Sequence, residues 1–129
     1  MKKIKSFFWV LIFCLTILSC NKTEVLNGVR VKFYNETGFN IEELNIGNKV
    51  IGSLEINTNT NYLIYEKFGF DTGMPDTNCN GKIVNETIES YNGFYWCGTE
   101  KSFVEEGIYE MSIKLVEIDS TKYFRIDLK

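Results

Sequence analysis

Histidine is absent from the 129 residues of this chain. That removes the commonest general base and the commonest metal ligand, and excludes histidine-based triads and zinc hydrolases in their usual forms. Proline is nearly absent, with Pro75 alone, and no apolar run reaches the roughly 18 residues that mark a spanning helix. Positive charge is also short: 14 basic residues stand against 17 acidic ones. Lys2, Lys3 and Lys5 lie before residue 20 and no acid does, so the part after residue 19 carries 11 minus 17, or -6. A domain so charged is a poor match for nucleic acid, whose affinity comes from Lys and Arg on phosphates. Glycine-rich phosphate loops and G-x-S-x-G surroundings are missing too, and the adjacent acids Glu42-Glu43 and Glu105-Glu106 do not read as a glycosidase pair. A non-enzymatic protein is therefore expected.

What is present begins at the N terminus. A basic start, an apolar run from Phe7 to Leu18 broken only by Thr16, and the closing Ile17-Leu18-Ser19-Cys20 have the layout of a removable export signal. This segment resembles the lipobox signal of bacterial lipoproteins, in which a peptidase cuts before the cysteine and a diacylglycerol is attached to its sulfur. A transmembrane anchor is the competing reading, but the run is too short for one. The resemblance implies lipidation and palmitate on Cys20, anchorage in the cell envelope, and, because position 21 is Asn where the family uses Asp for inner-membrane retention, an outer-membrane destination. Residues 1 to 19 are then signal, 20 to 28 a lipidated tether, and 29 to 129 one domain of ordinary size.

With Cys14 leaving in the signal and Cys20 lipidated, Cys79 and Cys97 remain as a pair in an oxidising compartment. A structural disulfide is expected; a redox pair is the alternative, although 18 positions of separation lack the C-x-x-C arrangement that lowers a thiol pKa.

The rest of the chain has a period of two. Val29, Val31 and Phe33 alternate with Arg30 and Lys32; Tyr109, Met111, Ile113 and Leu115 alternate with polar residues; Phe124, Ile126 and Leu128 repeat the pattern. Lys49 to Ile56, Tyr62 to Phe68 and Lys82 to Ile88 are further strand candidates. Turn residues separate them, including Asn35-Glu36-Thr37-Gly38, Gly47-Asn48 and Asp119-Ser120-Thr121. No window has a convincing helical period, so the expected class is all-β, a single antiparallel sandwich. Glu106-Gly107-Ile108-Tyr109 resembles the G-x-Y turn of immunoglobulin-like and transthyretin-like sandwiches, which implies an architectural Tyr109; a plain glycine turn before a strand is the alternative. In composition and layout the chain also resembles small β-rich lipoproteins of Bacteroidota, a resemblance that transfers no active site.

Two binding candidates follow. Asp76, Asn78 and Asn80 precede Gly81 at the alternate spacing of an EF-hand calcium loop, with Ile83 in its apolar position. The pattern stops at the twelfth position, where Thr87 replaces the bidentate carboxylate; an Asn/Gly-rich surface turn is the alternative. Tyr91, Phe94, Tyr95 and Trp96 form an aromatic cluster suited to stacking on sugar faces or anchoring an interface, or else to packing over a disulfide. The expected function is a membrane-anchored interaction or scaffold module with an envelope protein as partner. The alternative is a module for glycan or calcium that uses the 71 to 80 loop and the 91 to 97 cluster.

Overall fold

In a computed structural model, the described residues are 27–91 and 100–129. They form eleven strands and no helix, so the all-β expectation holds, and none of their segments is a helix long and apolar enough to cross a membrane. In chain order these are β1 (Gly28–Asn35), β2 (Ile41–Ile46), β3 (Lys49–Leu54), β4 (Leu63–Tyr65), β5 (Phe68–Asp71), β6 (Met74–Pro75), β7 (Cys79–Ile83), β8 (Glu86–Ser90), β9 (Lys101–Val104), β10 (Glu106–Ile118) and β11 (Thr121–Leu128). Eight of them make one sheet, ordered β3-β2-β7-β8-β11-β10-β1-β4, which curls toward a barrel; β6-β5-β9 form a second, small sheet.

The sheet is not wholly antiparallel as expected. β1 runs parallel to β10 over eight paired residues, from Gly28 opposite Glu106 to Asn35 opposite Ile113, and β11 runs parallel to β8. Alternation reports which face of a strand is buried and carries no direction, which is why the pattern could not distinguish the two. A second difference lies at Lys82 to Ile88. Instead of one strand, the segment is a hairpin turned by Val84 and Asn85, both at positive φ (49° and 65°). That is the twist-matched two-residue turn, and a valine in it is uncommon because its branched side chain crowds the left-handed backbone. Val84 points into solvent, 81% exposed. Asp119 and Ser120 make the equivalent turn between β10 and β11, as their composition suggests. The other candidates are trimmed: β3 ends at Leu54, and Tyr62 to Phe68 divides into β4 and the start of β5.

The core gathers the inward positions of the large sheet. Val29, Val31 and Phe33 from β1, Ile41, Leu44 and Ile46 from β2, Met111 and Ile113 from β10, and Phe124 from β11 are fully buried. Each such side chain contributes about 1.5–3 kcal/mol by leaving water. An unbroken series of rings then carries the small sheet onto this core. Phe33 meets Tyr65, Tyr65 meets Phe68, Phe68 meets Phe70 and Phe70 meets Tyr109, with centroids 5.3–6.5 Å apart. Tyr109 is therefore architectural through its ring. A Cβ on Gly107, whose φ is +123°, would come within 2.9 Å of that ring, so the glycine is what lets it lie there.

The curl of the large sheet is sealed by side chains. Asn35, at the end of β1 and fully buried, donates from its amide to the carbonyls of Phe39 (2.8 Å), Leu54 (3.0 Å) and Glu55 (3.1 Å). Its Oδ1 accepts from the backbone N–H and hydroxyl of Thr37. The chain leaving β3 is thereby fixed to β1. At the other end of the seam the Tyr65 hydroxyl donates to the carbonyl of Ile46 at 3.2 Å.

Candidate functional site

β2, β7, β8 and β11 are consecutive in the large sheet, and their registers align one outward residue from each. Asn45 is opposite Asn80, Asn80 opposite Glu89, and Glu89 opposite Tyr123. Side chains alternate between faces, so a residue two positions along shares the same face. Asn78 and Tyr91 therefore share this face, both on the same side of the row, beside Asn80 and Glu89. Asn78, Asn80, Glu89 and Ser90 border an open cleft of about 260 Å³, whose inner wall is Cys79.

The local geometry prepares these groups. Asn45 donates one amide hydrogen to the Glu43 carbonyl (2.8 Å) and the other to Oδ1 of Asn80 (3.1 Å). Oδ1 of Asn80 is thus occupied, on a side chain that is exposed. Beside it Glu89 is exposed and makes no ion pair among the described residues. Flanking charges are already neutralised, Lys82 by Glu43 at 2.7 Å and Lys122 by Glu86 at 3.4 Å. Tyr91 and Tyr123, both half-buried, stand edge to face with centroids 5.0 Å apart.

The placement rearranges the sequence candidates. Asp76, Asn78 and Asn80 do not make a calcium loop. Asn80 and Gly81 lie within strand β7, Asp76 pairs with Lys101 at 3.2 Å, and Asn80 is engaged by Asn45. Gly81 also has a different purpose from the sharp-turn glycine of an EF-hand. β2 bulges at Glu43 (φ 51°), and a Cβ on Gly81 would meet Ile41 Cγ2 at 2.8 Å and the Glu42 carbonyl at 3.1 Å. The glycine lets β7 close against that bulge. Among the described residues no group of three or more Cys, Asp or Glu could hold a metal. What the structure does bring together is Asn78 and Asn80 with Tyr91, on one face. Phe94, Tyr95, Trp96 and Cys97 lie outside the described residues, as does Cys20. Cys79 is a thiol 1% exposed, without a disulfide to any described residue, and burial pushes it up to about 12.

Asn45, Glu89 and Tyr123 were not singled out by sequence. They come from three different strands, and only the pairing aligns them. A second polar arrangement also escaped notice, on the outer face of β1, β4 and β10. There Lys32 sits over the Tyr62 ring (4.3 Å) and Lys129 over the Tyr34 ring (4.4 Å), and the Tyr62 hydroxyl donates to Glu110 at 3.2 Å. Partial desolvation and the Glu110 carboxylate raise both tyrosine hydroxyls above their ordinary value. These groups satisfy one another; the cleft beside Asn80 has outward groups left over.

Compared with protein-family models, with curated proteins and with solved structures, the chain matches none.

Proposed function

We propose that this protein is a lipid-anchored lipoprotein of the bacterial envelope, directed to the outer membrane, whose β-domain is a non-enzymatic interaction module. The observation that carries the interaction reading is the outward row Asn45, Asn80, Glu89 and Tyr123, which presents amide, carboxylate and phenol groups beside a cleft. Such groups hold a partner by hydrogen bonds and ring contact. The anchor reading rests on the lipobox. β1 begins at Gly28, eight residues after Cys20, so full extension allows the domain at most about 28 Å from its lipid.

A Cys79–Cys97 disulfide belongs to this proposal, as does a sandwich-like packing of the small sheet on the large one. The backbone N–H of Cys79 donates to the Ser90 hydroxyl at 3.1 Å, so the chain leaves β8 next to Cys79, and Cys97 follows seven residues later. Closing that bridge would stabilise the domain by roughly 3 kcal/mol.

Labelling with [3H]palmitate tests the anchor: wild type incorporates label and Cys20→Ala does not, whereas equal labelling removes the lipoprotein reading. A photo-crosslinker placed at Asn78 in intact cells tests the module. A defined adduct is expected, and its absence together with absence of any ligand removes the interaction reading.

A further inference from the structure

Resting on the interaction-module reading, we infer that the outward row Asn45, Asn80, Glu89 and Tyr123, whose middle borders the cleft between Asn78 and Ser90, is a binding site for a neutral oligosaccharide. Strands in a sheet are about 4.8 Å apart, so the three steps from Asn45 to Tyr123 extend over about 14 Å. That is the length of a short chain of sugar rings and exceeds a single one. A pyranose carries neighbouring hydroxyls, each of which both donates and accepts. The row offers a donor beside an acceptor at this spacing: the NH₂ of the exposed Asn80, whose Oδ1 is held by Asn45, and the carboxylate of Glu89, which makes no ion pair among the described residues. A carboxylate takes hydroxyl donors in charge-assisted bonds that are stronger than neutral ones. Tyr91 and Tyr123 close one end, and their partly open rings provide apolar area for the C–H face of a sugar.

Charge selects within the class. Glu89 has no cation in its row, and the lysines on either side are tied to Glu43 and Glu86. An anionic chain such as a polyuronate would meet uncompensated repulsion. A lone carboxylate with amides is too thin a set for a hard cation, which takes six or more oxygens. The open cleft of about 260 Å³ lies against β7 and β8 at the middle of the row, where it would take part of an extended chain lying across the strands.

The test uses the full-length, detergent-solubilised protein on an array of neutral and anionic oligosaccharides, followed by calorimetric titration with a retained neutral one. Retention of neutral chains is expected, with Glu89→Ala and Asn80→Ala each weakening binding by about tenfold or more. Both residues are exposed, so the thermal midpoint should stay unchanged, and Lys32→Ala, on strand β1 away from the row, should bind as wild type. No retention of neutral oligosaccharide, a preference for anionic ones, or binding indifferent to both variants would overturn the inference. A protein adduct at Asn78 without saccharide retention would overturn it as well while leaving the interaction module standing; neither result removes both.

Discussion

Replacing Asn35 with alanine should cost this domain a large part of its stability. The side chain is fully buried and faces three carbonyls at 2.8–3.1 Å while accepting two bonds from Thr37. An amide has two hydrogens, so at most two of the three carbonyls are served strongly at once. Four bonds at about 1 kcal/mol each suggest a loss of about 4 kcal/mol. The carbonyls left in the seam cannot regain water without opening it, which keeps the cost from falling below that sum. Domains of this size are stable by only about 5–15 kcal/mol, and each kcal/mol corresponds to about 4–8 °C. A midpoint lower by about 15–30 °C is expected for Asn35→Ala. Thr37→Val, which removes one hydroxyl from the same network, should cost only about 1–2 kcal/mol. Urea unfolding followed by far-UV circular dichroism measures both, with an unchanged slope showing that the unfolded state is the same. A loss below about 1 kcal/mol for Asn35→Ala would refute the view that this side chain holds the seam.

Gly81→Ala places a methyl 2.8 Å from Ile41 Cγ2 and should destabilise by about 1–3 kcal/mol through overpacking; a neutral result in the same urea titration would show that the bulge of β2 yields easily. In protein held reduced, Cys79 has a folded pKa of about 12 against an ordinary 9.0, so the folded state holds its proton more tightly than the unfolded chain does. That stability is fully present below pH 9 and is lost as pH rises toward 12, by about 1 kcal/mol between pH 9 and 10. The difference in stability between wild type and Cys79→Ala, measured across that range, should shrink accordingly; a constant difference would show that the thiol does not titrate on unfolding. Asp127 shows the opposite sign. Desolvation raises its pKa, but hydrogen bonds from Lys114 and Arg125 outweigh this and hold the carboxyl below the usual range, so its contribution is present at neutral pH and lost on acidification. Its partners are partly exposed, and solvent screening keeps the effect small. Asp127→Asn should therefore flatten the acid limb of the stability profile only slightly, and a large change would contradict that account.

Where one face of a strand is buried without interruption, the chain announces the strand. Val29 to Phe33, Tyr109 to Leu115 and Phe124 to Ile126 are of this kind, although the alternation continues to Leu128, which is exposed. β2 was hidden because the bulge at Glu43 inserts an extra residue, spacing its buried positions as Ile41, Leu44 and Ile46 and breaking the period of two. The Val84-Asn85 turn was hidden by a residue type that turns rarely use. Asn35 reads as the first residue of a polar turn, and only the return of the chain from β3 makes it a buried keystone. The cleft was half legible: Asn78, Asn80 and Tyr91 stood out by spacing and composition, but their common face exists only because β7 pairs with β8, and Glu89 and Tyr123 enter through the pairing of β8 with β11.

The position of β1 gives the proposed anchor a mechanical meaning. If Cys20 is fastened to a bilayer while a partner holds the outer face, tension enters at Gly28, the first residue of a strand enclosed by β10 on one side and β4 on the other. Because β1 and β10 are parallel along their full eight-residue pairing, a pull along the strand loads all of those bonds together in shear and does not peel them open one by one. Force entering at Gly28 along β1 would thus be met by the whole pairing at once.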